Sequence, residues 1–321
     1  VPLQSGGLST RFELALEANN IIPLEETFEE LDINEEDERQ ILELSQDPKV
    51  FEKLTKSIIP SVWGYDEIKR CLILQLFGGV EKTHTDGQRS RGDMHILLIG
   101  DPGVAKSATL VFMAKISPKG RYVVGKSATG AGLTATVVRD EYLRGWSLEA
   151  GSMVLANRGL LCIDELEKMD PGDRSAMHEA MEQQTVTISK ANVHATLRAE
   201  TSVLAAANPK FGRFDPFQSI AQQIDLPPTL INRFDVIFPL RDLPNREKDE
   251  LIATHVLHEH QKMGEEMLIS KDLLRKYVAY AKQRIKPVLS DEAVDEMKKF
   301  YVELRNTPVS GEGAVRPIPI S

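Results

Sequence analysis

The chain has little of what a disulfide scaffold, a zinc module or a membrane protein requires. Its 321 residues include two cysteines, Cys71 and Cys162, which lie far apart, and Cys162 falls within an apolar run. Disulfide frameworks and zinc sites need more cysteines at closer spacing. No stretch approaches the roughly 20 apolar residues of a membrane-spanning helix, and no basic region followed by an apolar one opens the chain. We therefore expect a soluble, non-exported protein without disulfides or a membrane partner.

Basic residues are also in the minority, with 39 Lys and Arg against 48 Asp and Glu and a net charge of −9. A generally basic, DNA-coating surface is excluded, because phosphate binding is driven largely by Lys and Arg. Any contact with nucleic acid must be local. Hydrophobic residues make up 41% and charged residues 27%, as in ordinary globular proteins. The length suits one large and one small folded unit.

The amino-terminal stretch mixes Gly, Pro and acidic residues without a sustained hydrophobic period, so we interpret residues 1–33 as a linker from an upstream domain. A first helix is expected after Asn34, which suits a cap and is followed by acidic residues. A second is expected with Asp47 as its cap and Pro48 in its first turn. A third is expected over residues 65–77.

Further along, short apolar runs alternate with longer amphipathic segments, as when buried parallel strands alternate with crossover helices. The predicted strands are residues 96–99, 122–124, 160–163, 203–207 and 236–238. Past Leu243 the sequence is charged and helical, with helices predicted over residues 248–260 and 271–286. We therefore predict an α/β domain over residues 34–242 and a small α-helical domain over residues 243–321. His255, His258 and His260 invite a metal-site reading, but a solvated helix face is favoured because no Cys is nearby.

A glycine-rich segment joins the first predicted strand to a helix: Gly100-Asp101-Pro102-Gly103-Val104-Ala105-Lys106-Ser107. Its glycines would let backbone N–H groups turn towards phosphate oxygens, and the helix terminus adds a favourable dipole. Lys106 would contact the β- and γ-phosphates, and Ser107 would ligate Mg²⁺. The general pattern has Gly at the position of Ala105, which leaves a merely structural turn as the alternative. The segment predicts a site for ATP or GTP.

Two adjacent carboxylates, Asp164 and Glu165, follow the apolar run 160–163. Ligands of open α/β sheets bind at the carboxyl ends of the strands. Asp164 is therefore expected to complete the Mg²⁺ shell, and Glu165 to orient and deprotonate the attacking water. The alternative is a solvated strand end or a helix cap, which the nearby phosphate loop makes the weaker interpretation.

Asn208 and Arg233 complete the candidate site. Asn208 ends the apolar run 203–207, where its amide would bond the attacking water and a phosphate oxygen; an ordinary turn residue before Pro209 is the alternative. Arg233 is a candidate arginine finger, whose charge would stabilise the transferring phosphoryl group. A surface arginine paired with Asp235 is the alternative.

These segments, in this order and spacing, resemble the motifs of the AAA+ ATPases. Their individual residues resemble those of the minichromosome maintenance helicases. The resemblance covers residues 58–239. In its phosphate loop that family also has Ala before the Lys. The other sequence motifs specific to that family are Asp164-Glu165-Leu166-Glu167-Lys168-Met169, His178-Glu179-Ala180-Met181-Glu182-Gln183-Gln184 and Asn232-Arg233-Phe234-Asp235. The resemblance implies a P-loop AAA+ domain, with a parallel sheet flanked by helices and hairpin inserts, plus a small α-helical lid.

It also implies a homo-oligomeric ring, usually a hexamer, with ATP bound between subunits. One subunit would supply the phosphate loop, the strand-end carboxylates and Asn208, while Arg233 would reach in from the neighbour. Gln183 and Arg91 match positions that the family also places at that interface. The family's second sensor arginine follows a segment rich in Pro and Ile. Residues 317–321 match that segment, so this arginine stays unassigned. Family members carry an amino-terminal DNA-binding region, which residues 1–33 are expected to connect.

Residues 185–198 alternate apolar and polar side chains around Lys190-Ala191-Asn192, which predicts a β-hairpin with a basic tip. The segment contains no Asp or Glu, so Lys190 and Arg198 are candidate contacts for a phosphate backbone. From the residues alone, a plain surface hairpin is the favoured interpretation. The family's pore-lining hairpin before sensor 1 is similar, however, and implies that Lys190 contacts DNA.

Residues 128–149 are similar to a second insertion of that family, which also projects towards the pore. Here Arg144 and Trp146 would combine charge with stacking on single-stranded bases. A hairpin packed against a neighbouring subunit is an equal alternative, because Glu141 and Glu149 dilute its positive charge.

We therefore predict an ATP-driven ring motor that translocates on DNA and unwinds the duplex at replication, with other replication proteins as partners. The alternatives are a related AAA+ motor that remodels a protein or inserts a metal, as chelatases do, and an ATP-binding ring scaffold. Stimulation of turnover by DNA separates the DNA motor from the related AAA+ motor, and the scaffold, unlike both motors, would tolerate Glu165→Gln. A single chain without long tails favours an archaeal, cytoplasmic, nucleoid-associated protein over a nuclear one.

Overall fold

The computed structural model describes residues 31–87, 89–140, 145–190, 193–215, 217–218, 220–261 and 268–306. Its α-helices are α1 Glu35–Ser45, α2 Val50–Ser57, α3 Asp66–Phe77, α4 Lys106–Ile116, α5 Gly130–Leu133, α6 Ser152–Leu155, α7 Pro171–Gln183, α8 Pro228–Ile231, α9 Arg246–Gln261, α10 Lys271–Arg284 and α11 Asp291–Asn306. Its strands are β1 Lys82–Thr83, β2 Arg89–Ser90, β3 Ile96–Gly100, β4 Arg121–Val124, β5 Ala135–Asp140, β6 Gly145–Ala150, β7 Leu160–Asp164, β8 Thr185–Lys190, β9 Val193–Arg198, β10 Ser202–Ala207 and β11 Val236–Leu240. Single 3₁₀ turns lie at Gly125–Ser127, Leu166–Lys168 and Ile220–Gln223. Most of the predicted linker and the last residues of the predicted lid lie outside the described residues.

A parallel sheet of five strands, in the order β11-β3-β10-β7-β4, forms the centre of the described chain. All five predicted strands are confirmed, and each extends the prediction by no more than two residues. Strands β3, β7 and β10 are buried along their whole length. Buried parallel strands have both faces covered, so they read as continuous apolar runs instead of alternating ones. This property made them visible in the sequence.

Each face of the sheet has its own hydrophobic core. Ile96 and Leu98 of β3 pack with α2, α3, α4 and α10 on one side, while Leu97 and Ile99 pack with α6, α7 and α8 on the other. Side chains alternate along a strand, so successive residues of β3 serve opposite layers. The result is an α/β domain with helices on both faces.

The helix boundaries follow the predicted caps with one exception. Asn34 closes a capping box with Asp37 at the start of α1. Asp47 was predicted to cap α2 with Pro48 in the first turn, but the helix begins at Val50 with Lys49 as its cap. Asp47 instead accepts a hydrogen bond from the Lys49 N–H at 2.8 Å and pairs with Lys53. It therefore stabilises the turn that precedes the helix.

The hairpin β5–β6 and the hairpin β8–β9 extend from the α/β core, and β5 contacts β8. Ala135 and Val186 are buried between them, and Leu148, Ile188 and Leu197 pack against the same core. The hairpin predicted over residues 185–198 is confirmed. Ala191 and Asn192 at its tip, and Arg144 of the other insert, lie outside the described residues.

Helices α9 to α11 follow the sheet, and α10 packs against α1, α3 and α4. The Lys276 ammonium of α10 lies 2.9 Å from the Asp37 carboxylate of α1. The interpretation of His255 as a solvated residue is wrong, because its Nε2 lies 2.9 Å from the carbonyl oxygen of Pro60. Across the described segments, no cluster of three potential metal ligands occurs, and no helix is both long and apolar enough to cross a membrane.

Candidate nucleotide-binding site

The carboxyl edge of the sheet gathers the predicted nucleotide-site residues. The phosphate loop follows β3, Asp164 ends β7 with Glu165 next to it, and Asn208 follows β10. Since β3, β10 and β7 are adjacent and parallel, these three strand ends are neighbours. The topology therefore brings together residues that are more than 100 positions apart in the sequence.

The phosphate loop needs its glycines for two different reasons. Gly103 has a φ of +89°, a conformation that glycine adopts readily. A Cβ at Gly100 would lie 2.5 Å from the Cβ of Leu240, which ends the neighbouring strand β11. Helix α4 begins directly after the loop, at Lys106, and its free N–H groups and dipole favour an anion there.

Lys106 is buried in the loop. Its Nζ donates to the carbonyl oxygens of Gly100 and Asp101 at 2.6 and 2.7 Å. Burial lowers the pKa of this lysine, while the carboxylates of Asp164, Glu167 and Asp101 act in the opposite direction. The ammonium is therefore held at the loop within the field of three carboxylates.

Asp101 belongs to the loop, but its side chain is engaged elsewhere. One carboxylate oxygen accepts from the Phe214 N–H at 2.8 Å, and the other accepts from the Asp242 N–H at 2.9 Å. The carboxylate thus ties two distant backbone segments to the phosphate loop. Only the backbone of Asp101 remains for the predicted contact with phosphate.

Asp164 is buried, and both of its oxygens are oriented. The Tyr122 hydroxyl donates to Oδ2 at 3.0 Å, and the Glu165 N–H donates to Oδ1 at 2.9 Å. Burial, and then this hydrogen bond, raise the pKa of Tyr122 to about 12, so the hydroxyl keeps its proton at neutral pH. Tyr122 was missed in the sequence, because only the pairing of β4 with β7 brings it to Asp164.

Glu165 has a left-handed backbone, with φ +52°. Its carboxylate lies 2.6 Å from the ammonium of Lys168 in an ion pair that raises the pKa of this lysine. The predicted base is therefore neutralised by a neighbour three residues along the chain.

The donor set fits Mg²⁺. Ser107 is exposed beside Lys106 at the start of α4, and Asp164 offers a carboxylate at the adjacent strand end. Magnesium keeps several waters and is usually held by one or two carboxylates together with phosphates of the nucleotide. A hydroxyl and one carboxylate beside a phosphate loop are sufficient for that coordination.

A small apolar cavity of about 20 Å³ lies beside the loop. Its lining includes Ile59, Val62 and Tyr65 from the segment between α2 and α3, together with Val104 of the loop and Leu240. Tyr65 therefore packs beside the phosphate loop.

Arg233 lies at the opposite edge of the sheet. It precedes β11, whose five residues run parallel to β3 and end beside Gly100. At about 3.3 Å per residue, the strand separates Arg233 from the phosphate loop of its own chain by roughly 16 Å. Gln183, the last residue of α7, lies in the chain next to Glu182, an ion-pair partner of Arg233 at 2.7 Å.

The alternative pairing of Arg233 with Asp235 is wrong. The Nε of Arg233 donates to Nε2 of His178 at 3.1 Å, and its Nη2 pairs with Glu182. Asp235 pairs instead with Arg91 at 2.8 Å. The three residues assigned to a subunit interface, Arg233, Gln183 and Arg91, therefore belong to one region at the amino edge of the sheet.

The predicted DNA contacts of the hairpin β8–β9 do not form one patch. Lys190 is exposed at the end of β8 and pairs with Val193, whereas Arg198 pairs with Thr185 at the base. Because side chains alternate along each strand, Lys190 shares its face with the packed Val186, and Arg198 lies on the other face. On the neighbouring insert, Trp146 is 55% exposed.

Replacing Ala105 with Gly is expected to stabilise the protein. Ala105 caps α4 with φ +61°, in the left-handed region where a Cβ costs roughly 1–2 kcal/mol. The greater freedom of Gly in the unfolded chain offsets part of this gain. We expect the free energy of unfolding in urea to rise by about 0.5–1 kcal/mol.

The matched control is Ala108→Gly, at an exposed position inside the same helix. There a glycine is expected to lower the free energy of unfolding by about 0.5–1 kcal/mol. Equal losses for both variants would show that Ala105 carries no strain.

The loop with its buried lysine, the two strand-end carboxylates and the strand-end asparagine define a P-loop nucleotide-binding domain. The chain belongs to the minichromosome maintenance (MCM) family. The family's P-loop domain matches residues 37–260, and its AAA-lid domain matches residues 272–321. The parallel α/β sheet and the helices that follow it agree with this membership.

Three relatives show the extent of the similarity. The minichromosome maintenance protein MCM of Saccharolobus solfataricus is 43% identical over 320 residues, which is 100% of this chain and 46% of the relative. The DNA replication licensing factor mcm7 of Schizosaccharomyces pombe is 43% identical over 94% of this chain and 40% of its own length. The DNA replication licensing factor MCM4 of Arabidopsis thaliana is 45% identical over 86% of this chain and 33% of its own length. The chain thus spans less than half the length of these relatives.

Proposed function

We propose that this chain is the ATP-hydrolysing motor of a homo-oligomeric, hexameric ring that translocates on DNA and separates the duplex during replication. The observation that carries the proposal is the distribution of the predicted nucleotide-site residues over the two edges of the sheet. The phosphate loop, Asp164, Glu165 and Asn208 lie at the carboxyl edge, while Arg233 lies at the amino edge. A second copy that presents its amino edge to this site supplies the missing cation.

The residues divide the chemistry of hydrolysis among them. Lys106 and the loop N–H groups bind the phosphates, and Ser107 and Asp164 would hold Mg²⁺, which would neutralise charge on the phosphate oxygens. Glu165 accepts a proton from the attacking water. Asn208 orients that water, and Arg233 of the adjacent subunit stabilises the charge of the transferring phosphoryl group.

Arrangement in a ring also follows from the two separated edges. A contact between the carboxyl edge of one copy and the amino edge of the next is heterologous, and such contacts close into a ring when the rotation allows it. The hairpins β5–β6 and β8–β9 then supply the local basic and aromatic groups that an otherwise acidic chain needs to hold DNA. The relatives named as DNA replication licensing factors support a role in replication.

The test is ATP turnover with and without single-stranded DNA, at a fixed and moderate salt concentration. We expect DNA to change the turnover of the native chain, and Lys190→Ala to weaken DNA binding by about 3- to 10-fold and to remove most of the stimulation. The control is Lys299→Ala, which removes the same charge from the exposed face of α11. Turnover that does not respond to DNA in the native chain would contradict the assignment of a DNA motor.

A further inference from the structure

Glu167 is the third acidic residue of the segment Asp164–Glu167 at the end of β7, and the chemistry proposed above gives it no role. It lies in the 3₁₀ turn Leu166–Lys168, partly buried at the carboxyl edge of the sheet. Its Oε1 accepts a hydrogen bond from the Nδ2 of Asn208 at 2.8 Å. Its Oε2 is enclosed and has no hydrogen-bond partner among the described residues.

Both partners of this hydrogen bond are held by their backbones. Arg174 of α7 donates from Nη2 to the carbonyl oxygen of Glu167 and from Nη1 to that of Asp225. Asn208 follows directly on β10, which is buried along its length between β3 and β7. Neither residue needs to reorganise to make the contact, so the contact belongs to the rigid framework of the site.

The chemistry of the two groups decides the orientation of the Asn208 amide. An ionised carboxylate only accepts hydrogen bonds, whereas an amide has a donating NH₂ group and an accepting carbonyl oxygen. The amide must therefore present its NH₂ to Glu167. Its Oδ1, together with the second N–H, remains for other partners.

The charge of Lys106 makes this carboxylate part of the nucleotide site. Glu167 is one of three carboxylates whose charges favour the charged form of Lys106 and so oppose the lowering of its pKa by burial. The other two have their oxygens committed: Asp164 to Tyr122 and Glu165 N–H, and Asp101 to two backbone N–H groups. Glu167 therefore combines a position near the phosphate-binding lysine with a single contact, to Asn208.

We propose that Glu167 is a positioning residue for hydrolysis, which fixes the amide of Asn208 so that its Oδ1 is available to the attacking water. The inference rests on the proposed function, because it assumes that Asn208 orients that water. The inference gives the three acidic residues different roles: Asp164 would hold Mg²⁺, Glu165 is the base, and Glu167 orients the side-chain amide of Asn208.

Glu167→Gln tests the proposal with little change of shape. A glutamine has both a donor and an acceptor, so the Asn208 amide loses its enforced orientation. We expect kcat for ATP to fall about 10-fold, since a hydrogen bond to a charged group is lost, with KM for ATP within about twofold. Glu52→Gln, an exposed residue of α2, is the matched control and leaves kcat unchanged.

A double-mutant cycle separates positioning from a structural role. If Glu167 acts through Asn208, adding Glu167→Gln to Asn208→Ala lowers kcat no further. If Glu167 merely supports the turn, the two substitutions multiply, and the thermal unfolding midpoint falls in both backgrounds. Multiplied effects, or a Glu167→Gln variant with native kcat, would overturn the inference.

The same measurements keep the inference apart from the proposed function. If the native chain fails to hydrolyse ATP, the proposed function and the inference both fail. If the native chain hydrolyses ATP and Asn208→Ala retains native kcat, only the roles of Asn208 and Glu167 are overturned. If Asn208→Ala slows turnover and the cycle shows no further loss, both proposals stand.

Discussion

Lys106→Ala is expected to reduce ATP turnover to background, with a loss of kcat/KM of at least about 10²- to 10³-fold. Lys106 is the cation at the phosphate loop, held by the carbonyl oxygens of Gly100 and Asp101. In the proposed reaction its charge stabilises the β- and γ-phosphate oxygens as charge moves onto them. An alanine leaves the loop N–H groups in place but removes this charge. Steady-state phosphate release measures the effect.

Lys115→Ala is the matched control for this substitution. Lys115 lies on the same helix, α4, but is exposed, and its loss is expected to leave turnover unchanged. Because removing Lys106 also leaves two carbonyl oxygens without their donor, the unfolding midpoint of both variants should be measured in parallel. A folded Lys106→Ala variant that retains native turnover would show that the loop is not the hydrolytic site.

Arg233→Ala is expected to reduce the turnover of the assembled chain by about 10³-fold, as for loss of an arginine finger. The physical reason is position: Arg233 lies at the amino edge of the sheet and cannot reach the phosphate loop of its own subunit. Its ion pair with Glu182 and its hydrogen bond to His178 hold it at the surface that a neighbouring copy would meet. The loss should therefore affect the site of the adjacent subunit.

Mixing two inactive variants tests this directly. In an equal mixture of Lys106→Ala and Arg233→Ala subunits, roughly a quarter of the sites combine an intact loop with an intact arginine from the neighbour. We expect turnover to return in the mixture, although each variant alone is inactive. Arg70→Ala, an exposed arginine of α3, serves as the control and should retain turnover. A mixture that stays inactive would argue against action between subunits.

The local sequence determined most of the sheet and most of the nucleotide site. Strands β3, β7 and β10 are buried parallel strands, whose apolar composition does not depend on which neighbour they pair with. The phosphate loop, Asp164 with Glu165, and Asn208 each directly follow such a strand, so their proximity follows from the rule that ligands bind at strand ends. Ala105, which stands where the general phosphate-loop pattern has Gly, could also be assigned to the loop from its position in the sequence.

Other features were decided only by the tertiary structure, because they depend on contacts between distant segments. The engagement of Asp101 with Phe214 and Asp242, and of Asn208 with Glu167, requires segments that follow four strands, β3, β7, β10 and β11, to meet. The pairing of Arg233 with Glu182 instead of Asp235 depends on α7 ending beside the start of β11. A sequence states which side chains are available for hydrogen bonding, but their partners are chosen by the folded backbone, since each contact needs both groups within about 3 Å.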